Sequence, residues 1–396
     1  MKSKHHLHTQ LLRIGSAPFD EATGTAPVNL PSVRTSTLRF KNLDILDALQ
    51  EKRARGERVT TYGISGLDTH RALEDAINAL EGGTYCVINS SGLASIHLAF
   101  MSVLKTGDHV LVSDNIYGPV RVLHDTLLKK LGIEVSFFSK QDNLEKLVKP
   151  NTRLLYVESP GSLLMEMLDM PALSKFAKAH DLVLATDNTW GAGLLYQPLN
   201  LGADISVIAG TKYLNGHSDV MLGAVVTNRE DLAEQIHATQ YALGNSVSAD
   251  DVWLTLRGLK TMAVRLEQHT RNTQTVCEFL DQHPMVSRIY YPAWHKDPGY
   301  ELWQRDCHGT NGLISISLNC SPEAAKRFVD ALELFGIGFS WGGYESLVQW
   351  VSPTVLEAHS YWTEQGKALV RLHIGLEDVT DLIEDLTQAL DAIETK

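Results

Sequence analysis

The apolar run from Ile205 to Ala209, within ISVIAGTKYLNGHSDVMLGAVV, leads through Gly210 and Thr211 into Lys212, with no acid close by in sequence. A lysine at the end of a buried strand is unfavourable unless paired or neutral, and one that sheds its proton easily is a nucleophile. A second apolar run, LVLAT, ends in Asp187 within DNTWGAG. Taken singly, Asp187 reads equally well as a turn or helix-capping aspartate, and Lys212 as a side chain that reaches out to solvent. Taken together, an Asp and a Lys at neighbouring strand ends supply what pyridoxal phosphate chemistry requires. The lysine forms a Schiff base, and the carboxylate keeps a pyridine nitrogen protonated so that the ring accepts electrons. NSSGLASIHLAF adds Ser90, Ser91 and Gly92 at the start of a helix, where the N–H groups of Gly92 and Leu93 suit a phosphate. The same residues also make an ordinary helix cap. Thr211, next to the lysine, offers a hydroxyl to that phosphate. Tyr117, in SDNIYGPV, offers a ring either for stacking on the pyridine face or for simple packing.

These groups converge only if strand ends share one edge. CVINS, HVLVSDN, VSFFS, LLYVESP, LVLATDN, ISVIAG and GAVVTN are short, rich in β-branched residues and mostly end in polar or small residues. Helix-like segments such as THRALEDAINALEG, LASIHLAFMSVL and DMPALSKFAKAHD separate many of them. The alternation predicts an α/β fold, a largely parallel sheet with helices on both faces. In such sheets function collects at the carboxyl ends of strands, here Ser90, Ser91, Asn115, Glu158, Asp187 and Lys212. Three regions are expected. Residues 1–62 form an arm with one helix that lies against a neighbouring subunit, 63–256 a cofactor-binding domain, and 257–396 a smaller α+β domain.

A chain of 396 residues is too long for one core and suggests two domains. The formal charge of -12 argues against a nucleic-acid partner. No apolar run approaches the roughly 20 residues of a membrane-spanning helix, and MKSKHHLHTQLLRIG lacks an apolar signal core. Cys86, Cys277, Cys307 and Cys320 are scattered without a CxxC pair, which fits reducing cytoplasm. His5, His6 and His8 are expected to form a mobile N-terminal cluster and His217 follows the lysine without a ligand partner at useful spacing, so no metal is expected.

ESPGS, DNTW, TKYLNGHSD, SWGGYESL and RLHIGLED together resemble the Cys/Met-metabolism family of fold-type I pyridoxal phosphate enzymes, a likeness that spans nearly the whole chain. The resemblance implies a mostly parallel seven-stranded sheet with flanking helices, a smaller C-terminal α+β domain and an N-terminal arm. It makes Lys212 the Schiff-base lysine, Asp187 the partner of the pyridine nitrogen and Tyr117 the stacking ring, with Lys212 and Tyr117 as the proton carriers. Gly92, Leu93 and Thr211 hold phosphate, and Tyr62 reaches across a dimer interface into the neighbouring active site. Arg371 clamps the substrate's α-carboxylate, with Ser340, Trp341 and Tyr62 also against substrate. Arg371 is alternatively a surface salt-bridge partner of Glu377 or Asp378. Two positions depart from the family pattern: Ile64 stands where an arginine often faces the phosphate, and Ala209 where a serine is common. Arg58 is a possible substitute for the first. Trp341 and Ser162 favour members that cleave cystathionine by α,β-elimination, giving homocysteine, pyruvate and ammonia, with cysteine or cystine as further substrates. The rival reading is γ-synthase, γ-lyase or O-acylhomoserine sulfhydrylase chemistry, and a more remote one is a non-catalytic protein of the same fold. A homotetramer of active-site-sharing dimers is implied.

Overall fold

The computed structural model describes residues 5–55 and 57–394; residues 1–4 and 56 of the expected arm, and 395–396 of the expected C-terminal domain, lie outside them. All seven apolar runs become strands of one sheet. They are β1 (Tyr85–Asn89), β2 (His109–Ser113), β3 (Glu134–Phe138), β4 (Thr152–Glu158), β5 (Val183–Asp187), β6 (Ile205–Ala209) and β7 (Gly223–Thr227). The spatial order is β1-β7-β6-β5-β4-β2-β3, with β7 antiparallel to both neighbours and every other pairing parallel.

Successive side chains on a strand point to opposite faces, so each run feeds two cores. On β4, Leu154 and Tyr156 enter one buried cluster, and Leu155 and Val157 the other. The helix Asp68–Glu81 covers one face through Leu73, Ala76, Ile77 and Leu80, at the spacing of a helical stripe. The helix Gly92–Val103 covers the other through Ile96, Ala99 and Phe100. Burying a large side chain of this kind contributes roughly 1.5–3 kcal/mol, and because both faces are covered the strands read as unbroken apolar runs.

A second sheet, ordered β10-β11-β12-β9-β8, comprises β8 (Val286–Tyr290), β9 (Leu313–Leu318), β10 (Gly336–Ile337), β11 (Leu347–Val351) and β12 (Ala368–His373). The helices Met262–Gln282, Pro322–Ala331 and Val379–Glu394 bury Cys277, Phe328 and Leu386 against it. Position 257 lies inside the helix Ala249–Leu259, and the core of the large sheet continues through Met262 to Leu266. The helix Met262–Gln282 therefore enters both cores.

Among its described residues the arm holds two helices, Leu7–Arg13 and Leu43–Ala54, where the sequence suggested one. Leu11 of the first is buried in the large-sheet core, whereas the second has no buried residue within this chain. Among the described residues no helix is long and apolar enough to cross a membrane. Because β1, β6, β5, β4 and β2 run the same way, Asn89, Ala209, Asp187, Glu158 and Ser113 end along one edge of the sheet.

Candidate active site

A cavity of about 600 Å³ opens at that edge. The large sheet and its loops contribute Ser91, Gly92, Leu93, Tyr117, Glu158, Asp187, Thr211 and Lys212, while Ser340, Trp341 and Arg371 enter from the second sheet and its loops. A larger hollow of about 810 Å³, beside Trp294 and Trp303, contains none of these groups.

Lys212 Nζ donates to Ser340 Oγ at 2.6 Å and lies 5.2 Å from the centre of the Trp341 ring. Burial and the Arg371 guanidinium bring its pKa down to about 8, although Asp187 pulls the other way. A buried amine thus loses its proton near neutrality, the property expected of a nucleophile and base. Ser340 is a junction: its carbonyl accepts from Arg371 Nη2 at 3.1 Å while its hydroxyl receives the lysine. Its backbone has φ +94°, a conformation that residues with a Cβ rarely adopt and that concentrates at functional sites.

Arg371, on β12, reaches the cavity from the strand position opposite Gln349. Burial lowers its pKa to about 10, which leaves it a cation at neutral pH. Glu377, one suggested salt-bridge partner, accepts instead from Ser346 N–H at 2.7 Å and Ser346 Oγ at 2.8 Å. Asp378, the other, accepts from Thr380 N–H at 2.8 Å. A guanidinium so buried and, among the described residues, hydrogen-bonded only to a carbonyl suits an incoming carboxylate, which its planar fork binds in two places.

Asp187 is held by a residue that sequence reasoning did not single out. Its Oδ1 accepts from Thr189 N–H at 2.9 Å and Thr189 Oγ1 at 2.6 Å, and Thr189 Oγ1 accepts from Ala209 N–H at 3.0 Å. The signal was present as Asp-x-Thr after a strand, the spacing of an Asx-type turn. Asp187 faces Glu158 across the β4–β5 pairing. Burial raises both carboxyls, and the Asp187 charge raises Glu158 further, whereas Thr189 and Lys212 draw Asp187 back down. A cation brought against Asp187, such as a protonated pyridine nitrogen, restores the carboxylate. Glu158 Oε2 in turn accepts from Tyr117 N–H at 2.5 Å, fixing the backbone beneath a ring that is 44% exposed at the cavity. Burial, then the charges of Asp187 and Glu158, hold the Tyr117 hydroxyl above its usual range.

Ser91 caps its helix by accepting from Ala94 N–H at 3.1 Å, which leaves the N–H groups of Gly92 and Leu93 for an anion. Gly92 is required there, because a Cβ would stand 2.8 Å from the Ala209 Cβ. The capping reading of the Ser-Gly motif holds, and it is compatible with an anion at the same helix start. Thr211 lines the cavity, but its hydroxyl donates to the Leu222 carbonyl at 3.1 Å and accepts from Leu222 N–H at 2.9 Å, so its proton is already engaged. Ser90 and Asn115 do not line the cavity: Ser90 N–H bonds Asn245 Oδ1 at 3.4 Å, and the Asn115 carbonyl accepts from Ser162 N–H at 2.7 Å. Ser162 itself does line it. Tyr62 is 51% exposed and outside the cavity of its own chain. Arg58 lies outside the cavity of its own chain and pairs with Glu74 and with Asp75, the latter at 3.2 Å. Lys212 and Arg371 are the two cations of the described lining.

This donor set fits pyridoxal phosphate. The lining combines the start of a helix, a carboxylate fixed by Thr189 and an easily deprotonated lysine beside the Trp341 ring. Among known proteins, the model of a family described as Cys/Met metabolism PLP-dependent enzyme matches residues 8–391. A cystathionine beta-lyase of Bordetella avium is 60% identical over 98% of both chains. A cystathionine beta-lyase of Escherichia coli is 38% identical over 96% of this chain and 97% of its own. The solved structure of a cystathionine gamma synthase from Xanthomonas oryzae in complex with cystathionine superposes with a TM-score of 0.89, at 32% identity and 99% coverage of both chains.

Proposed function

The chain belongs to the Cys/Met-metabolism family of PLP-dependent enzymes, and from that premise we propose that it is a carbon–sulfur lyase that splits L-cystathionine by α,β-elimination into homocysteine, pyruvate and ammonia. The observation that carries the reading is Lys212 Nζ, its pKa down at about 8, held 2.6 Å from Ser340 Oγ in the cavity that Arg371 and Asp187 also line. The 60% identity to a cystathionine beta-lyase supports the choice of substrate and bond.

When bound, pyridoxal phosphate supplies an electron sink that makes the substrate's Cα proton acidic. Gly92 and Leu93 would hold its phosphate, Asp187 its ring nitrogen and Tyr117 its ring face. Arg371 receives the α-carboxylate, and Trp341 limits how the rest of the substrate lies. Lys212 Nζ takes the Cα proton, becoming an ammonium beside Ser340 Oγ. As the Cβ–S bond breaks, the departing sulfur takes a proton from Lys212 Nζ or Tyr117 Oη and leaves as homocysteine. The three-carbon remainder hydrolyses to pyruvate and ammonia. A positioned proton carrier of this kind contributes typically ~10²–10⁴-fold.

The active unit is a homotetramer of dimers that share active sites. Exposed Tyr62, lying outside its own cavity, and the helix Leu43–Ala54, with nothing buried, support a neighbouring chain at the mouth of the site. The unpaired cysteines fit a reducing cytoplasm.

The structural likeness to a cystathionine gamma synthase favours γ-chemistry as the second reading. Products separate the two. Purified holoenzyme given L-cystathionine is expected to release pyruvate and homocysteine, with activity lost in Lys212→Ala; 2-oxobutyrate and cysteine in their place would establish the γ reading.

A further inference from the structure

The turn that carries Ser340 and Trp341 is held from behind by a histidine to which the sequence reading gave no role. His373 ends β12, two positions beyond Arg371, and is 1% exposed. Its Nδ1 lies 2.9 Å from the Glu345 carbonyl, and its Nε2 lies 3.1 Å from the Gly342 nitrogen. A carbonyl only accepts and an amide N–H only donates, so the ring carries its proton on Nδ1 and keeps a lone pair on Nε2. An imidazolium would set two N–H groups against each other. Burial, then His269, holds the ring well below the usual histidine range, in keeping with the neutral form. The rings of His269 and Tyr213, centred 5.1 and 5.9 Å away, pack around it.

Both bonds enter the loop that runs from Ser340 to Ser346. Gly342 has φ +88°, and a Cβ there would stand 2.8 Å from Tyr213 N and 2.9 Å from the carbonyl carbon of Lys212. The turn therefore lies directly on the lysine's own backbone. Ser340, two residues earlier, has the unfavourable φ of +94° and contacts both Lys212 and Arg371. Such a backbone persists only where its surroundings over-determine it.

We propose that His373 is a positioning residue for the elimination: its Nε2 lone pair, by holding Gly342 N–H, fixes the Ser340 turn and through it the Lys212 amine and the Arg371 guanidinium. His373 lies outside the cavity lining and acts through the turn alone. The inference rests on Lys212 and Arg371 being the working groups, which the product assay on the unaltered chain tests separately.

Two substitutions divide the histidine's bonds. His373→Gln sets an amide oxygen near the Nε2 position, whereas His373→Asn keeps a donor near Nδ1 and leaves Gly342 N–H unpaired. The readouts on each holoenzyme are kcat and KM for L-cystathionine, the Kd for glycine followed by visible absorbance, and amide exchange across residues 340–343. His373→Asn is expected to weaken glycine binding and lower kcat/KM on the order of 10-fold, with fast exchange at Gly342, while His373→Gln stays within about 3-fold of the unaltered enzyme. Equal losses in both variants overturn the proposal. So does fast exchange at Gly342 with glycine binding and kcat/KM unchanged. Should His373→Asn fail to fold, the unaltered holoenzyme decides: Gly342 N–H is expected to exchange as slowly as the amides of β12, and rapid exchange overturns the assignment.

Discussion

At Lys212 three influences set the state of one proton. Burial and Arg371 favour its loss, Asp187 favours its retention, and the first two win, bringing the pKa down to about 8. An ordinary lysine holds its proton to about pH 10.4. In the cofactor-free protein Lys212 is therefore expected to react with an amine-acylating reagent with a midpoint near pH 8, while exposed lysines as a class react only at higher pH. The signs of two substitutions follow from the same balance. Arg371→Gln removes a cation that disfavours the ammonium, so the midpoint rises; Asp187→Asn removes an anion that favours it, so the midpoint falls. Peptide mapping of the labelled protein across the pH range checks all three, and an ordinary midpoint in the unaltered chain would contradict them. The sequence already placed Lys212 and Asp187 at strand ends, because an apolar run that stops at a charge is visible locally. It did not make Thr189 stand out, since a threonine two residues after an aspartate is common, and only the fold turns its hydroxyl onto Asp187.

Elements were predictable in proportion to what they bury. The inner strands of the large sheet stood out because both of their faces are covered, leaving largely apolar runs, whereas the edge strand β3 buries only Phe138. The arm was harder: Leu43–Ala54 buries nothing within the chain, so it carries no apolar stripe, and Leu7–Arg13 is only 7 residues long. Turns were harder still, because their meaning depends on what lies beneath them. Gly107 and Gly342 have nearly the same φ, +90° and +88°, but a Cβ on Gly107 meets nothing within 4 Å whereas one on Gly342 meets the Tyr213 nitrogen at 2.8 Å. Alanine at Gly107 is expected to lower stability by about 1–3 kcal/mol through backbone strain alone, with activity intact. Alanine at Gly342 adds displacement of the turn from Lys212, so activity falls with stability. Thermal denaturation of both holoenzymes, beside steady-state rates, separates the two effects; comparable activity in both would show that the turn is not tied to the lysine.

On the scale of the whole molecule, the chain contributes a cavity whose described lining holds two cations, both bonded to Ser340. A dianionic phosphate at the proposed site, the start of the helix Gly92–Val103, would be met from this chain by backbone N–H groups, so the proposed assembly would matter to the chemistry as well as to stability. Chains carrying Lys212→Ala, inactive alone, and chains carrying Tyr62→Ala, weakly active alone, are expected to recover activity when unfolded and refolded together, because a hybrid dimer contains one site with both residues intact. Absence of recovery, with hybrid dimers demonstrated by mass, would place Tyr62 in some other role. The sequence by itself determined the sheet, the strand-end lysine and aspartate and the Ser-Gly helix start, since each is encoded within a few neighbouring residues. Only the tertiary structure decided that Arg58 is taken by Glu74 and Asp75, that the Thr211 hydroxyl turns to Leu222, and that Arg371 and Lys212 share Ser340. Those outcomes depend on which distant segments pack together, and no local pattern of apolar and polar residues carries that information.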